Sequence, residues 1–556
     1  MIVDDQRLPR ALVALLALVA IIELAVPFFV KSIGVDGPGQ LNLEIQFNSL
    51  IARGVFVPRW VPEGFQNFGS PAFYFYPPVA FYLTALLQQV TRIANPWTLF
   101  QIAGLLGTIA SFFSARYLFT VLGATGSRRT AGSLLYALAP YRIAELYTRS
   151  SLSSHIGYAI MPLVWCGIIL IFNNDEQTKW KGVAITAIAG ALLFLTNVPL
   201  TMLTAVGVVI VGIALYRQVT VKGLLYLAGA VVICLLLVSY QLVSIIAYQR
   251  FAQLGHLMTN REFLLYDLLH LRNLPGLFHA GILWMAVGMI AYTSMLAKRS
   301  GDFGKERLIL RAGFAIAIVI LFLEFAPISA PLWDSFVVLQ LIQGSWRFYI
   351  LFVLFTAAFV ALANTQRHFA AAKLILWTWG IASIPLALLL LFNVHLTPHH
   401  EGPLLDEKEY APVYTLKDRD TLNQTLSLAA ASFAQGWFGP GERGQVRRTA
   451  SNPSSDEYSV TIPVSEAVRF PRFYWPSWRL AIDSQPVLSH PDSLGFATAV
   501  LPQGSHVARW TQTKTPIEQA GMWISSITAS VGILALGVGW MQRRRKSEEA
   551  IESAST

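Results

Sequence analysis

The sequence predicts a polytopic α-helical membrane protein, with about 12–13 transmembrane helices and a small extracytoplasmic β-sandwich domain near the C-terminus. Hydrophobic residues make up 54% of the 556 residues and charged residues 13%, whereas soluble proteins carry about 25% charged residues. The mean hydropathy is +0.53. A water-soluble protein of this length could not cover its surface with so few charges. The composition therefore excludes a soluble multidomain enzyme, a disordered or fibrous chain and a nucleic-acid enzyme.

Apolar stretches long enough to cross a bilayer, about 20 residues each, recur along the chain. The first of them is too long for a removed signal peptide and lacks a small-residue cleavage site, so it is expected to be an anchor. The stretch 76–92 begins with two prolines and is expected to be short or re-entrant, which leaves about twelve true spans. The candidate spans are 11–30, 76–92, 97–121, 130–145, 156–173, 181–197, 199–216, 222–247, 276–297, 308–327, 346–364, 370–394 and 521–541.

Basic residues predict that both termini are cytoplasmic. Arg7 and Arg10 precede the first span, and the basic run 543–546 follows the last one. The net charge of +10, from 41 Lys and Arg against 31 Asp and Glu, is accordingly attributed to cytoplasmic loops and not to nucleic-acid binding. Cys166 and Cys234 both lie in apolar runs and are expected to be packing residues, not a disulfide or a zinc site.

Three longer external segments follow from this topology: 31–75, 248–275 and 395–518. The second is mixed in polarity and is expected to form an amphipathic helix at the interface. The third contains short alternating stretches with turn residues, which favour a β-sandwich. These stretches are 457–463, 470–483 and 496–509, the last broken by a turn at Gln503-Gly504. The predicted domains are a transmembrane domain at 1–394, a β-rich domain at 395–518, and a helix with a cytoplasmic tail at 519–556.

Polar and aromatic residues cluster where the outward-facing loops meet the membrane. The chain carries no phosphate-binding Gly-Lys-Ser/Thr loop, no Gly-x-Ser-x-Gly elbow and no paired-His zinc motif, so an energy source within it is not expected. In the first loop, Asp36 precedes a helical pattern at Leu41–Arg53. The other clustered residues are Pro58-Arg59-Trp60, Gly69-Ser70-Pro71, Phe73–Pro78, Pro140-Tyr141, Glu145, Tyr147, Arg149, Ser150–His155, Asn197-Val198-Pro199 and Gln343–Phe348.

Each of these residues also has a purely structural interpretation. Asp36 could be a solvated loop acid or a helix cap. Arginines at the interface can reach lipid headgroups, although an arginine at membrane depth is costly unless it is paired. The aromatic residues at 73–76 are typical of an interfacial belt, and the serines at 150–154 can cap a helix. The histidines at 395, 399 and 400 are interpreted as a surface tract.

The order of these motifs resembles the GT-C type of integral-membrane glycosyltransferases, which use lipid-phosphate-linked sugars. It is similar above all to a bacterial branch with a C-terminal extracytoplasmic β-domain, and the resemblance covers nearly the whole chain. The motifs that carry it are loose, but they occur in the right order. They are Asp36, Gly54, Pro58-Arg59-Trp60, Gly69-Ser70-Pro71, Tyr76-Pro77-Pro78, Pro140-Tyr141, Tyr147-Thr148-Arg149, Ser345-Trp346-Arg347, Phe473–Trp478 and Pro502–His506.

The chain departs from that branch at three positions. A histidine four residues after the loop aspartate is replaced by Gln40, an acid after Tyr-x-Arg falls at Ser154, and a histidine between two middle spans is replaced by Asn197. The resemblance implies metal or acid–base roles at these positions. A divalent cation is therefore a cofactor that remains open, because amides and a hydroxyl are weak ligands for it.

The resemblance implies a sugar transfer from a polyprenyl-phosphate donor to an extracytoplasmic acceptor, at the outer face of a bacterial plasma membrane. It assigns Asp36 as the catalytic base. Arginines are expected to neutralise the lipid phosphate, and aromatic residues to stack on the sugar or line the lipid groove. The implied substrate-binding residues are Arg59, Trp60, Tyr74, Tyr76, Glu145, Tyr147, Arg149, His155, Trp346 and Arg347.

Two other classes of function remain open at this point. The three replaced positions favour a catalytically degenerate accessory protein, or a binder or flippase for lipid-linked sugars. An ion-coupled transporter is disfavoured, because such folds often carry inverted repeats and midplane charges, and the sequence shows neither. The expected partners are a lipid-linked sugar donor, membrane lipids and an extracytoplasmic acceptor, with no nucleic acid.

Overall fold

A computed structural model describes residues 8–29, 37–254, 305–324, 326–342, 344–363, 366–392, 419–434 and 445–555. These residues are mostly helical, and their strands lie within 445–512. The helices are α1 (Arg10–Phe29), α2 (Gly37–Ala52), α3 (Gly64–Asn67), α4 (Ala72–Phe75), α5 (Val79–Thr91), α6 (Pro96–Leu122), α7 (Gly126–Ala137), α8 (Pro140–Thr148), α9 (Leu152–Ile171), α10 (Glu176–Phe194), α11 (Val198–Ala214), α12 (Val221–Leu237), α13 (Ser239–Tyr248), α14 (Lys305–Glu324), α15 (Ala326–Ser335), α16 (Val337–Ile342), α17 (Tyr349–Leu362), α18 (Gln366–Phe392), α19 (Arg419–Ala434) and α20 (Pro516–Ser555).

Three of the described helices are long and apolar enough to cross a membrane. They are α6, α9 and the Pro516–Gly539 part of α20; the consecutive helices α12 and α13, bent by 71° at their junction, could form a fourth span. Shorter apolar helices include α11 and most of α1, α14 and α17. The predicted count of 12–13 spans stays a prediction, because the candidate span 276–297 and most of the predicted interfacial segment 248–275 lie outside the described residues.

Two of the expected spans differ from single straight helices. The segment 130–145 is divided into α7 and α8, because Pro140 occupies the start of α8 and a proline disfavours helical geometry in the residue before it. The segment 222–247 is divided at Val238 into α12 and α13. As expected for a short segment, the stretch 76–92 forms only the 13-residue α5, about 20 Å long at 1.5 Å per residue and too short for a hydrocarbon core of about 30 Å.

The helical part packs around α17. Every residue of α17 is buried, which is the pattern of a helix at the centre of a bundle and not at its surface. Helices α7 and α14 pack directly against it. Gly132 of α7 makes a close approach, because a Cβ there would lie 2.6 Å from the carbonyl oxygen of Ala357. The buried residues of these helices form one large hydrophobic core.

The strands form two antiparallel sheets around a common buried interior. One sheet has the order β1-β2-β8-β4-β5 and the other β3-β7-β6. Residues alternate between buried and exposed along β2 and β8, so that one face of each strand lines the interior. The strands are β1 (Gln445–Asn452), β2 (Ser455–Ile462), β3 (Glu466–Phe473), β4 (Trp478–Ile482), β5 (Gln485–Val487), β6 (His490–Pro491), β7 (Phe496–Leu501) and β8 (Gly504–Gln512).

Strands β2, β7 and β8 coincide with the predicted stretches 457–463 and 496–509, whereas β1, β5 and β6 lie outside all of the predicted stretches. The stretch 470–483 is not a single strand. It contains the end of β3 and all of β4, separated by a turn in which the N–H of Trp478 donates to the carbonyl of Trp475 at 3.1 Å. Pro476 lies in this turn, where its lack of an N–H costs no strand hydrogen bond. The domain boundaries proposed from the sequence stay a prediction.

Candidate functional site

The first loop and the β-sheets share one aromatic interface, defined here as Trp60, Tyr74, Tyr248, Trp475 and Trp478. The Trp475 ring lies 5.3 Å from Tyr74 and 5.6 Å from Tyr248, and the Trp60 ring lies 5.9 Å from Trp478. The Tyr74 hydroxyl donates to the Ser477 hydroxyl at 2.8 Å. Trp60 and Tyr74 are thus buried and pack the loop against the β-sheets, and the substrate contacts expected of them stay a prediction.

Arg59 belongs to the same structural unit. Its guanidinium donates to the carbonyl of Tyr240 and to the side chain of Gln241, both at 2.6 Å. It also lies over the Tyr240 ring at 5.2 Å. These contacts anchor the loop to the start of α13, and the phosphate contact expected for Arg59 stays a prediction.

A second group of residues converges from two distant parts of the chain, and we call it the arginine cluster: Glu145, Arg149, Trp346 and Arg347. Arg149 donates to the Glu145 carboxylate at 3.0 Å from the next turn of α8. Its guanidinium lies 5.7 Å from the centre of the Trp346 ring. Arg347, only 7% exposed, interacts electrostatically with both Arg149 and Glu145. Two arginines and one glutamate give this cluster a net positive charge.

A third group, the amide network, consists of Gln40, Tyr76, Ser153, Ser154 and Asn197. The Gln40 amide donates to the Tyr76 hydroxyl, which lies 3.5 Å from the Ser153 hydroxyl. The Asn197 amide nitrogen lies 3.4 Å from the Ser153 oxygen and 3.1 Å from that of Ser154. All three positions at which the sequence departs from the resembled branch therefore meet in one buried network.

His155 contacts α6, and Tyr147 lies in an apolar cluster. The His155 Nε2 atom lies 3.0 Å from the Thr108 hydroxyl and 3.1 Å from the carbonyl of Gly104, both on α6. Tyr147 is buried among apolar residues of α2, α5 and α6. The structure thus brings Glu145, Arg149, Trp346 and Arg347 together, and Tyr76 with the network, but leaves His155 and Tyr147 in helix packing.

Sequence reasoning missed two buried charged residues. Glu44 on α2 is 1% exposed, its Oε1 atom has no hydrogen-bond partner among the described residues, and burial raises its pKa well above the ordinary value. Arg142 on α8 is fully buried and donates to the carbonyls of Ala137 and His155 at 3.1 and 3.4 Å. Arg142 falls within the expected span 130–145, and a charge inside an apolar span was the signal for it.

Asp36, the expected catalytic base, lies outside the described residues. It directly precedes the first residue of α2, and Gln40 lies in the first turn of that helix. The described residues contain no group of three or more His, Cys, Asp and Glu side chains that could hold a metal ion. What the described site can do is bind an anion at the arginine cluster and donate hydrogen bonds from the amide network.

Comparisons with known proteins give similarities of structure only. No family model matches the chain, and no curated protein matches it. The chain is similar to the arabinofuranosyltransferase AftD from Mycobacteria, at 16% identity and a TM-score of 0.46, over 93% of this chain and 41% of that chain. It is similar to ArnT from Cupriavidus metallidurans, bound to undecaprenyl phosphate, at 15% identity and a TM-score of 0.36, over 77% of this chain and 71% of that chain.

A third similar structure is the oligosaccharyltransferase from Archaeoglobus fulgidus, at 14% identity and a TM-score of 0.41, over 68% of this chain and 56% of that chain. The chain spans about two fifths of the length of AftD.

Proposed function

We propose that this protein is a membrane glycosyltransferase that moves a sugar from a polyprenyl-phosphate donor to an acceptor on the extracytoplasmic side. The observation that carries the proposal is the arginine cluster. Arg149 and Arg347 are almost 200 positions apart in sequence, yet their side chains meet around Glu145 and Trp346. Bringing two cations together is unfavourable by itself, and here one of them, Arg347, is buried, so the arrangement is best explained by an anionic ligand.

A phosphate monoester or diester fits this charge. Guanidinium groups bind phosphate oxygens through paired, charge-assisted hydrogen bonds, and their planar shape suits that geometry better than lysine does. Trp346 adds an aromatic face beside the charge, on which a sugar or an isoprenoid chain can pack. The apolar helices around the cluster suit a donor whose lipid tail stays in the membrane.

In the proposed reaction an acceptor hydroxyl attacks the anomeric carbon of the donor sugar. A new carbon–oxygen bond forms as the bond to the phosphate oxygen breaks, and the phosphate leaves with the electron pair. The hydroxyl proton passes to Asp36, which the sequence resemblance assigns as the base. The arginines stabilise the charge that develops on the departing phosphate, and the expected stereochemical outcome is inversion.

Selective binding of the phosphate tests this proposal. Purified protein in detergent is titrated with a short-chain polyprenyl phosphate and, separately, with the uncharged polyprenol of the same length. We expect saturable binding of the phosphate that is much tighter than binding of the polyprenol. Equal affinity for the two lipids would show that the cluster does not recognise phosphate, and the proposed function would then have no support at this site.

The same titration addresses the alternative of a binder without catalysis. The amide network in place of histidine and carboxylate residues is the observation that favours this alternative. Phosphate-selective binding without any sugar transfer to extract-derived acceptors would support the accessory or flipping protein.

A further inference from the structure

The three positions that the sequence comparison connects with metal or acid–base roles are built into a closed hydrogen-bond system. Gln40 lies on α2, Ser154 on α9, and Asn197 directly before α11. Tyr76 and Ser153 connect them, through the contacts described above. The Ser154 hydroxyl also lies 2.8 Å from that of Ser151 at the start of α9. The polar groups at these positions therefore partner one another.

The direction of these hydrogen bonds is fixed by the start of α11. The Asn197 Oδ1 atom accepts the backbone N–H of Leu200 at 2.8 Å, which is an N-cap interaction. Because the backbone N–H can only donate, the oxygen of the amide must face the helix and the NH₂ group must face Ser153 and Ser154. A cation needs lone pairs, and at this position it would meet N–H hydrogens.

The amide of Gln40 is also used as a hydrogen-bond donor. Gln40 uses its NH₂ group on the Tyr76 hydroxyl. Hard cations take carboxylate and carbonyl oxygens, and transition metals take imidazole and thiolate ligands. The network consists of two amide groups turned to donate and three hydroxyls, so its residues do not fit a divalent cation.

We infer that the amide network is a cation-independent site of hydrogen-bond donors, which replaces a metal centre in this chain. The inference rests on the proposed function. Under it, Arg149 and Arg347 alone stabilise the negative charge of the departing phosphate. The network would hold α2, α9 and α11 in register. Asn197 is its positioning residue, because it joins the helix cap to both serines.

Direct measurement of Mn²⁺ binding tests this inference without relying on turnover. Electron paramagnetic resonance of purified protein titrated with Mn²⁺ reports bound metal, and the polyprenyl-phosphate titration is repeated with and without EDTA. We expect no stoichiometric Mn²⁺ and the same phosphate affinity in both titrations. If a cation served the site, removing it with EDTA should weaken the binding of polyprenyl phosphate.

A gain-of-binding variant provides the positive control. Combining Gln40→His, Ser154→Glu and Asn197→His restores ligand chemistry at the three positions and should create Mn²⁺ binding. The matched control introduces the same residue types at separate exposed positions, with Gln218→His, Ser432→Glu and Asn173→His, and should bind none. If the triple variant does not fold, Mn²⁺ binding by the native protein and by the single variant Asn197→Ala still tests the inference.

Stoichiometric Mn²⁺ binding by the native protein that Asn197→Ala removes would overturn the inference while leaving the proposed function intact. Loss of phosphate selectivity in both titrations would instead contradict the proposed function. The two failures are therefore distinguishable, because one appears in the metal signal and the other in the lipid affinity.

Discussion

Replacing Arg347 by glutamine should separate ligand binding from folding. In the arginine cluster, Arg347 is buried next to the like charge of Arg149, with Glu145 as the nearby carboxylate. Glutamine keeps a similar length and can still hydrogen bond, but it removes the charge. We therefore expect the variant to fold with a stability close to that of the native protein, because the change removes both the repulsion from Arg149 and the attraction to Glu145.

The affinity for polyprenyl phosphate should change in the opposite direction. A hydrogen bond between a charged group and its partner contributes about 1.5–3 kcal/mol, and 1.4 kcal/mol is about tenfold in affinity. The dissociation constant of the Arg347→Gln variant should therefore rise roughly 10- to 150-fold. Binding is measured by titration of the purified protein, with thermal unfolding of the same samples as the measure of folding.

Arg53 provides a matched control for this experiment. It also pairs with a glutamate, Glu63, at 2.7 Å in the first loop, but both side chains are more than one third exposed. Exposed pairs of this kind contribute less than about 1 kcal/mol to stability, so the Arg53→Gln variant should remain folded. Because Arg53 lies outside the arginine cluster, its replacement should leave the phosphate affinity within about twofold. Native affinity in the Arg347 variant, or an equal loss in the Arg53 variant, would refute the assignment of the phosphate to the cluster.

Three further predictions concern stability, each measured by thermal unfolding in detergent. A carboxyl group with a raised pKa stabilises the fold below its unfolded pKa and loses this contribution as the pH rises through the folded pKa. Glu44→Gln should therefore stabilise the protein more at about pH 8 than at about pH 5. An equal effect at both pH values would contradict a buried Glu44 carboxyl. Trp475→Ala should cost about 3–5 kcal/mol of stability, because the Trp475 ring fills the aromatic interface. Trp523→Ala, at a 67% exposed position, should cost far less. Similar losses of stability would argue against the shared interface. Gly54 and Gly69 both have a positive φ, but only at Gly69 would a Cβ meet the Trp60 ring, at 2.2 Å. Alanine should therefore cost about 1–2 kcal/mol of stability at Gly54 and roughly 1–3 kcal/mol more at Gly69. Equal costs would show that the Trp60 ring moves freely.

Local patterns in the sequence predicted the local structure. Apolar stretches marked most of the helices, and alternation marked β2, β7 and β8, because burial of one face imposes a period on the residues that form it. The breaks were harder to place. Pro140 divides the stretch 130–145, whose apolar residues on both sides of it read as one span. The turn at Trp475-Pro476-Ser477 lies between aromatic residues that also suit a strand.

The site shows the same limit at longer range. Motif order drew attention to Arg149, Trp346 and Arg347, and these residues do meet in space. It could not distinguish them from Trp60 and Tyr74, because a tryptophan that packs on a β-sheet and one that faces a ligand are the same residue type in similar surroundings.

The residues that the sequence left ambiguous are those whose partners come from distant segments. Tyr74 contacts Trp475, which is some 400 positions away. In the sequence, Gln40 and Asn197 are two separate positions at which a histidine of the resembled branch is replaced. In the structure they are connected through Tyr76 and Ser153. No local pattern contains that connection.

Sugar transfer by the purified protein is the decisive test of the proposed glycosyltransferase activity. Purified protein is incubated with a panel of radiolabelled polyprenyl-phosphate sugars and extract-derived acceptors, and both labelled product and free polyprenyl phosphate are quantified. We expect that one donor is consumed and that polyprenyl phosphate is released in equal amount. Asp36→Asn should abolish the transfer while the variant still binds the lipid phosphate. Full transfer by the Asp36→Asn variant would contradict the assignment of the base, and binding of donors without consumption of any of them would contradict the glycosyltransferase itself.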